Sequence, residues 1–277
     1  MPEGHTLFRL AASLDRAFTG TRPHVSSPQG KFAEGAALLD GREVLEASSW
    51  GKHVFVTFDD PVAARILHVH LGLIGRFDIG EYAGAVPPPV GAVRVRLLGP
   101  AWVADLRGAT LCEVATPEAV DSVIARLGPD PLRGSADPER AWQRLRRSNR
   151  SLAELLMDQS VLAGVGNVFR SEVLFRHRVD PFTPGAKVKR RTWEAIWADL
   201  VELLAIGVTY GQIVTMADQV EQAREVLALG IDAAPLERRF YVYKRPGEPC
   251  RVCGSRVRTQ VLAGRNLFWC GRCQRRH

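Results

Sequence analysis

Two C-x2-C pairs near the C-terminus constrain the fold of this chain more than any other feature of its sequence. The four cysteines are Cys250, Cys253, Cys270 and Cys273, and sixteen residues separate the two pairs. Two thiolate pairs on tight turns can close a tetrahedral zinc site. Four cysteine ligands leave no open coordination position, so we expect one structural Zn²⁺ per chain rather than a catalytic one.

The residues between the two pairs predict a β-hairpin. The stretch "VRTQVLAGRNLFWC" has strand composition on both sides of the turn "AGRN", which places Arg265 at the tip. A guanidinium at the tip of a rigid finger is suited to grip a phosphate. The fifth cysteine, Cys112, lies in the apolar stretch "ATLCEVA" and is expected to be an inert core residue.

Charge is distributed unevenly along the chain. Residues 236–277 contain 11 Lys or Arg and two Glu, a net charge of +9, whereas the whole chain carries +7. A basic tail on a nearly neutral body indicates a polyanionic partner, most simply nucleic acid. A solvated tail that only aids solubility is the alternative on composition alone.

The order of predicted elements divides the chain into a strand-rich and a helical part. Apolar residues recur at helical spacing from Thr6 to Phe18, and residues 20 to about 116 then contain short strand patterns such as "HVFVTF" and "RILHVHLG". Such spacing suggests a β-sandwich or barrel. The stretch from Leu127 to Glu139 is typical of a linker. We therefore predict an α+β multidomain protein with domains at 1–130, 131–235 and 236–277.

The helical part contains several local signals. Ser151 and Glu154 form a capping-box pattern, and Gly164 and Gly166 interrupt the helical pattern before Asn167, which is predicted to cap the next helix. A glycine turn between two helices can bind phosphate, although a simple helical hairpin has the same pattern. Further helices are predicted around residues 193–204 and 211–229, followed by a basic strand at "RRFYVYKR".

The start of the chain, "MPEGHT", allows two interpretations. The first residues of a protein are commonly disordered. Alternatively, removal of Met1 would make Pro2 the N-terminus, with a secondary amine that titrates near neutrality and can attack an electrophilic carbon. The positive end of the helix that follows would favour an uncharged amine at Pro2 and an ionised Glu3.

Nothing in the sequence predicts a membrane protein. No apolar run reaches the roughly 20 residues that span a bilayer, and the charged first residues do not resemble a signal peptide. We therefore expect a cytoplasmic or nucleoid-associated protein without a membrane partner, acting as a monomer.

Five segments of the chain carry a family resemblance. They are "MPEG", "GK" at residues 51–52, "LGPDPL", "LMDQSVLAGVGNVFRSE" and "GEPCRVCG…GRNLFWCGRC". Together they closely resemble the formamidopyrimidine-DNA glycosylase and endonuclease VIII family. This family excises oxidised bases from DNA. The resemblance runs from residue 2 to residue 273. It implies an N-terminal β-sandwich with an N-terminal helix, then a helix–two-turn–helix domain and a β-hairpin zinc finger.

The resemblance also implies catalytic roles. Pro2 would be the nucleophile that attacks the anomeric carbon as the base leaves, and Glu3 the acid and base of ring opening and later proton transfers. Lys52, in "WGKHVF", would contact a phosphate near the reaction. The iminium adduct acidifies the neighbouring sugar proton, so that β- and then δ-elimination can break the strand.

Five further residues are expected to contact DNA. Asn167 and Arg265 would bind the phosphates that flank the lesion, and Glu172, in "FRSE", matches a family glutamate near the active site. The target base must leave the helix, and side chains normally fill the gap. Here the family's methionine after "HLG" is replaced by Leu73, and "DLRGAT" offers Arg107 without the family's phenylalanine. Each of these two residues has a void-filling interpretation and an equally good structural one.

We therefore expect a bifunctional DNA glycosylase and abasic-site lyase acting on damaged DNA. The short second loop and the "PEG" start resemble the endonuclease VIII branch, which favours oxidised pyrimidines and abasic sites as substrates. An oxidised-purine glycosylase of the same family is the first alternative. The second is a non-catalytic zinc-finger protein that binds damaged DNA.

Overall fold

The computed structural model describes residues 2–230 and 233–275. The chain forms two compact units. One contains Met1–Glu3 and Leu7–Arg126, and the other contains Gly4–Thr6 and Leu127–His277. Each unit has its own hydrophobic core.

The first unit is strand-rich. Helix α1 (Gly4–Phe18) leads into it, and its remaining elements are β1 (His24–Ser26), α2 (Ala33–Leu39), β2 (Val44–Trp50), β3 (His53–Phe58), β4 (Arg65–His70), β5 (Arg76–Glu81), β6 (Val93–Leu98), β7 (Trp102–Arg107), β8 (Leu111–Ala115) and α3 (Pro117–Arg126). The strands form two antiparallel sheets with the orders β1-β6-β7-β5 and β2-β3-β4-β8.

The two sheets share one core, which confirms the predicted β-sandwich. Apolar side chains alternate inward along the strands of both sheets, and the inward-facing face of α1 closes the layer with Leu7, Leu14 and Phe18. Helix α2 was not predicted. It is a short element in which only Ala36 and Leu39 are buried, and so few apolar positions leave no clear helical periodicity.

The second unit is mainly helical. Its elements are α4 (Pro138–Leu145), α5 (Leu152–Leu155), α6 (Asn167–Arg176), α7 (Arg190–Tyr210), α8 (Ala217–Leu229), β9 (Arg258–Leu262) and β10 (Arg265–Trp269). The predicted capping box is present at the start of α5, where Ser151 and Glu154 exchange hydrogen bonds with each other's backbone. Hairpin residues such as Leu267 and Cys270 belong to the same core as the helices. None of the helices among the described residues has the length and apolar character needed to cross a bilayer.

The predicted linker, Leu127–Glu139, begins where the longer segment of the second unit begins. Its first residues, 127–131, are buried, and the amide of Gly128 donates to the carbonyl of Gln159. The prediction of a basic strand after α8 was wrong. The stretch "RRFYVYKR" forms no strand. The amides of Tyr241, Val242 and Tyr243 bind a buried carboxylate instead of a neighbouring strand.

Candidate functional site

The predicted nucleophile and its partner lie at the start of α1. Glu3 is the N-cap residue of this helix, with an extended backbone, and its side chain is 0% exposed. Pro2 directly precedes it and is half-buried. Because a helix N-terminus carries a partial positive charge, this position stabilises a carboxylate and disfavours a protonated amine.

The residues that follow Glu3 pack within the helical unit. The amide of Gly4 donates to the carbonyl of Gly164 over 2.8 Å. A Cβ at residue 4 would lie 2.9 Å from the Cα of Gly164, so a side chain there would displace the backbone. This contact joins the beginning of α1 to the glycine turn before α6. Both glycines are visible in the sequence, but nothing in it pairs them.

Lys52 lies in the turn between β2 and β3, beside a group of histidines that sequence reasoning missed. His53 Nδ1 is 2.8 Å from His68 Nε2, and His68 Nδ1 is 2.9 Å from Glu113 Oε1. Because the carboxylate of Glu113 accepts, we assign His68 Nδ1 as the donor to it and His68 Nε2 as the acceptor from His53. The alternation "HVH" puts His68 and His70 on the same face of β4, opposite to Val69. This pattern is the sequence signal from which the histidine group could have been predicted.

His53 and His70, beside Lys52, have lowered pKa values and are uncharged at neutral pH. The pKa of His53 is lowered to about 3, mainly by burial, and electrostatic interactions with His70, His68, Arg126 and Lys52 contribute to the lowering. Burial also lowers the pKa of His70, with Lys52 the next cause. At neutral pH the charge of Lys52 therefore lies beside the uncharged imidazoles of His53 and His70.

The depressed pKa of His53 predicts a loss of stability in acid. The unfolded chain takes up this proton below about pH 6.5 and the folded chain does not, so the free energy of unfolding falls as the pH drops from 6.5 towards 3, by at most about 1.4 kcal/mol per pH unit. Urea titrations at pH 7.0 and 5.5 should show a smaller fall for His53→Gln than for the unchanged protein. Zinc release in acid affects both proteins alike. Equal falls would contradict a neutral His53.

Leu73 and Arg107 differ in how free their side chains are. Leu73 lies in the turn after β4 and is 46% exposed, and its neighbour Ile74 is 81% exposed. The guanidinium of Arg107, at the end of β7, donates to Asp78 and to Asp105 over 3.0 and 2.9 Å. Arg107 would have to break both ion pairs to enter a duplex, whereas Leu73 already projects from the surface.

Asn167 connects α6 to the zinc-finger hairpin. The N-cap of α6 is Gly166, so the prediction that Asn167 caps this helix was wrong. Asn167 Nδ2 instead donates to the carbonyl of Asn266 over 2.9 Å, and its Oδ1 accepts from Arg170. Arg265 precedes Asn266 and follows a two-residue turn with positive φ at both positions, 48° and 73°. Asn167 and the Arg265 turn therefore belong to one structural assembly.

Glu172 is buried and faces protein rather than solvent. Its side chain is 0% exposed, and its carboxylate accepts from the amides of Tyr241, Val242 and Tyr243 and from the hydroxyl of Thr215, at 2.8–2.9 Å. Burial raises its pKa, and the four donors oppose that rise. The expected DNA contact is therefore corrected, because this carboxylate has no surface to offer. It anchors the segment that leads into the zinc finger.

Glu172→Ala should destabilise the helical unit strongly. The substitution leaves three amides without their acceptor, two of them buried and that of Tyr241 partly buried, each costing about 1–3 kcal/mol. We expect the free energy of unfolding, measured by urea titration, to fall by at least about 3 kcal/mol. Glu225→Ala, at an exposed position of α8, is the matched control and should change it by less than about 0.5 kcal/mol. Similar values for the two variants would mean that Glu172 is not an anchor.

The four cysteines of the finger fit a zinc ion. Their Sγ atoms all lie within 4.8 Å of one another, with 3.9 Å between Cys250 and Cys273 and 3.5 Å between Cys253 and Cys270. Zn–S bonds of about 2.3 Å in a tetrahedron require sulfur atoms about 3.8 Å apart. Cys112 lies outside this group, and burial raises its pKa to about 12, as expected for an inert thiol.

Three family models match consecutive parts of the chain. The N-terminal domain of formamidopyrimidine-DNA glycosylase matches residues 1–112, the H2TH domain of the same enzyme matches residues 127–219, and the zinc finger found in FPG and IleRS matches residues 247–276. The β-sandwich, the helical unit and the four-cysteine finger thus define a DNA glycosylase with a structural zinc site.

Relatives and solved structures agree with this class. Endonuclease 8 1 of Mycobacterium tuberculosis is 48% identical and covers 99% of this chain and 100% of its own, and endonuclease 8 of Pectobacterium carotovorum is 30% identical over the same shares. The MutM (Fpg) protein of Thermus thermophilus superposes with a TM-score of 0.76 at 27% identity, over 99% of this chain and 98% of its own. The chain belongs to the formamidopyrimidine-DNA glycosylase and endonuclease 8 family of base excision repair.

The same fold occurs in a structure that contains DNA. Formamidopyrimidine-DNA glycosylase of Lactococcus lactis, bound noncovalently to DNA with an AP site, has a TM-score of 0.79 at 18% identity, over 99% of this chain and 100% of its own. At this level of identity the similarity shows the fold alone. The predicted α+β architecture is confirmed.

Proposed function

We propose that this protein is a bifunctional DNA glycosylase and abasic-site lyase that removes oxidised pyrimidines and processes abasic sites. One observation carries the proposal. The pair Pro2–Glu3 stands at the N-terminus of α1, with Glu3 buried, and the next residue is bound through its amide to Gly164. A disordered start would have no such contact.

In the proposed reaction the secondary amine of Pro2 forms a bond to C1′ of the sugar as the bond to the base breaks, and the base leaves with a proton. The nitrogen loses its own proton, the C1′–O4′ bond breaks as O4′ takes up a proton, and the nitrogen lone pair forms the C1′ iminium ion. The resulting iminium cation draws electrons from the sugar, so a C2′ proton is lost and the 3′ phosphate leaves by β-elimination. A second elimination releases the 5′ phosphate. Glu3 is suited to move these protons, because a buried carboxylate at a helix N-terminus is close to the amine and excluded from bulk water.

Three residues are proposed to hold the flanking phosphates. Lys52 provides a cation beside neutral imidazoles, and Asn167 and Arg265 provide an amide and a guanidinium from α6 and the hairpin. Clamping both sides of the reacting sugar fixes it against the nucleophile, which replaces a bimolecular encounter by a positioned one. Leu73 is proposed to fill the gap that the extruded base leaves.

The preference for pyrimidines is supported by the "PEG" start and by the 48% identical relative named endonuclease 8. The absence of a phenylalanine after Arg107 in "DLRGAT" argues against an oxidised-purine enzyme. Since the substrate would be chromosomal DNA and the relatives are bacterial, we place its action in the cytoplasm, at the nucleoid.

Borohydride trapping tests the proposal. Duplex oligonucleotides would carry one abasic site, one oxidised pyrimidine or one oxidised purine, and an undamaged duplex is the control. We expect a covalent adduct that maps to Pro2, with stronger trapping on the pyrimidine lesion than on the purine lesion. The reverse order would favour the oxidised-purine enzyme, and tight binding without any adduct would favour a non-catalytic DNA-binding protein.

A further inference from the structure

A basic groove lies on the helical unit, at the end of α6 opposite to Asn167. Its volume is about 590 Å³, and its lining includes five cationic side chains, which we call the basic groove residues: Arg178, Lys187, Lys189, Arg191 and Arg275. All five are exposed. They come from the turn after α6, the segment that leads into α7, the first turn of α7 and the end of the zinc finger.

The charges of the basic groove residues are not neutralised by the described part of the protein. None of the five forms an ion pair or donates a side-chain hydrogen bond there. The one carboxylate in the lining, Asp180, is buried and accepts from the amide of Phe182. Five like charges around one groove repel one another, so an anion that enters the groove relieves that repulsion.

A neighbouring arginine shows that this arrangement is particular to the groove. Arg190 lies between two basic groove residues, Lys189 and Arg191, and forms ion pairs with Glu139 and Glu194. Arg224 on α8 is likewise paired, with Glu202 and Glu221. Acidic partners are thus available to exposed arginines of this unit, and the basic groove residues have none within residues 2–230 and 233–275.

The groove is separate from the proposed phosphate contacts in the same unit. Asn167 begins α6 and Arg176 ends it, whereas the groove begins at His177 and Arg178. A helix of ten residues is about 15 Å long, so the groove lies at the opposite end of α6 from Asn167. The phosphates that Asn167 and Arg265 would bind are therefore not those that would enter the groove.

We propose that the basic groove binds the sugar–phosphate backbone of a second stretch of DNA, outside the duplex segment that carries the lesion. Exposed lysine and arginine without acidic partners favour sequence-independent phosphate contacts through release of counterions. The inference rests on the proposed function only for the choice of DNA as the polyanion. Such a contact would hold the enzyme on undamaged DNA while the lesion site is empty or occupied.

A charge-reversal pair tests the groove. The groove variant is Lys187→Glu with Arg191→Glu, and the control is Arg16→Glu with Lys31→Glu, two exposed cations of the other unit with the same change in net charge. Each protein is titrated with an undamaged fluorescent duplex of about 60 base pairs over a range of salt concentrations. Loss of two phosphate contacts should make the negative slope of log K against log salt about 1.8 less steep. It should also weaken binding at least about tenfold at low salt.

A second arm separates the groove from the lesion site. Each protein is first trapped with borohydride on a short abasic duplex and then titrated with the undamaged duplex. We expect the trapped wild type and the trapped control to bind the second duplex, and the groove variant to be trapped normally but to bind it at least about tenfold more weakly. Failure of all proteins to trap would contradict the proposed lyase, and the salt titration of untrapped protein would still test the groove.

Equal binding of undamaged DNA by the groove variant and the control, whether both are unchanged or both weakened alike, would overturn the proposal. If both variants bind as the wild type does, the groove does not bind DNA. If both bind equally weakly, the loss of affinity comes from the change in net charge and not from the groove. Unfolding midpoints of both variants, measured alongside, distinguish lost contacts from a lost fold.

Discussion

Replacing Pro2 with glycine is expected to lower excision and borohydride trapping by about 100-fold or more, because a displaced reacting group can cost a factor of this size. Glycine keeps a terminal amine but loses the ring that restricts rotation about the N–Cα bond and orients the nitrogen. An iminium ion from a secondary amine also has no proton to lose, so it stays cationic and keeps drawing electrons. A primary amine forms an imine that becomes neutral when it loses its proton.

The loss should be one of chemistry and not of folding. Pro2 precedes α1 and donates no backbone hydrogen bond, so the unfolding midpoint should stay within about 2 °C. Pro61→Gly, in the exposed loop between β3 and β4, is the matched control and should retain full activity. Single-turnover rates on an abasic-site duplex measure the effect. Normal trapping by Pro2→Gly, with the adduct on another residue, would remove Pro2 from the mechanism.

Cys270→Ser is expected to abolish stoichiometric zinc and to weaken binding of damaged DNA about tenfold or more, because a lost hydrogen bond to a charged group costs about 1.5–3 kcal/mol. Cys270 is fully buried and belongs to the core shared by the hairpin and the helices. Without the metal, the ends of the two hairpin strands are no longer held together. The contact between Asn167 and Asn266 and the position of Arg265 are then lost as well. Metal analysis and fluorescence anisotropy give the two readouts.

Cys112→Ser is the matched control for the zinc experiment. Cys112 packs against the β-sandwich core and lies outside the four-cysteine group, so zinc content and DNA affinity should not change. A Cys270→Ser protein that keeps one zinc ion and full affinity would show that the finger does not depend on this ligand. Equal losses in both variants would indicate general instability instead.

The sequence predicted the elements whose signals are local. The periodicity of α1, the alternation in β3 and β4, the capping box at Ser151 and the turn beside Arg265 all depend on residues a few positions apart. The zinc site was predicted for the same reason, since each C-x2-C pair is itself a local motif and only the meeting of the two pairs had to be inferred. Helix α2 was missed because its buried positions are too few to show a period.

Contacts between distant residues could not be predicted. Glu172 resembles any helical glutamate in the sequence, and its role follows from three amides about seventy residues away. These amides also explain why "RRFYVYKR" is not a strand, since a carboxylate satisfies the groups that a neighbouring strand would bind. Asparagine is a common N-cap residue, but the side chain of Asn167 donates to the carbonyl of Asn266 instead.

By itself the sequence determined the family, the zinc ligands, the order of the elements and the chemical groups available for catalysis, because each is encoded by residue type and short spacing. Only the tertiary structure decided which of these groups are buried, paired or free. It packed Gly4 against Gly164, kept His53 uncharged by burial and, among the residues that the structure describes, left the basic groove residues without acidic partners. Burial and pairing depend on which distant segments pack together, and they set the protonation and availability of every polar group.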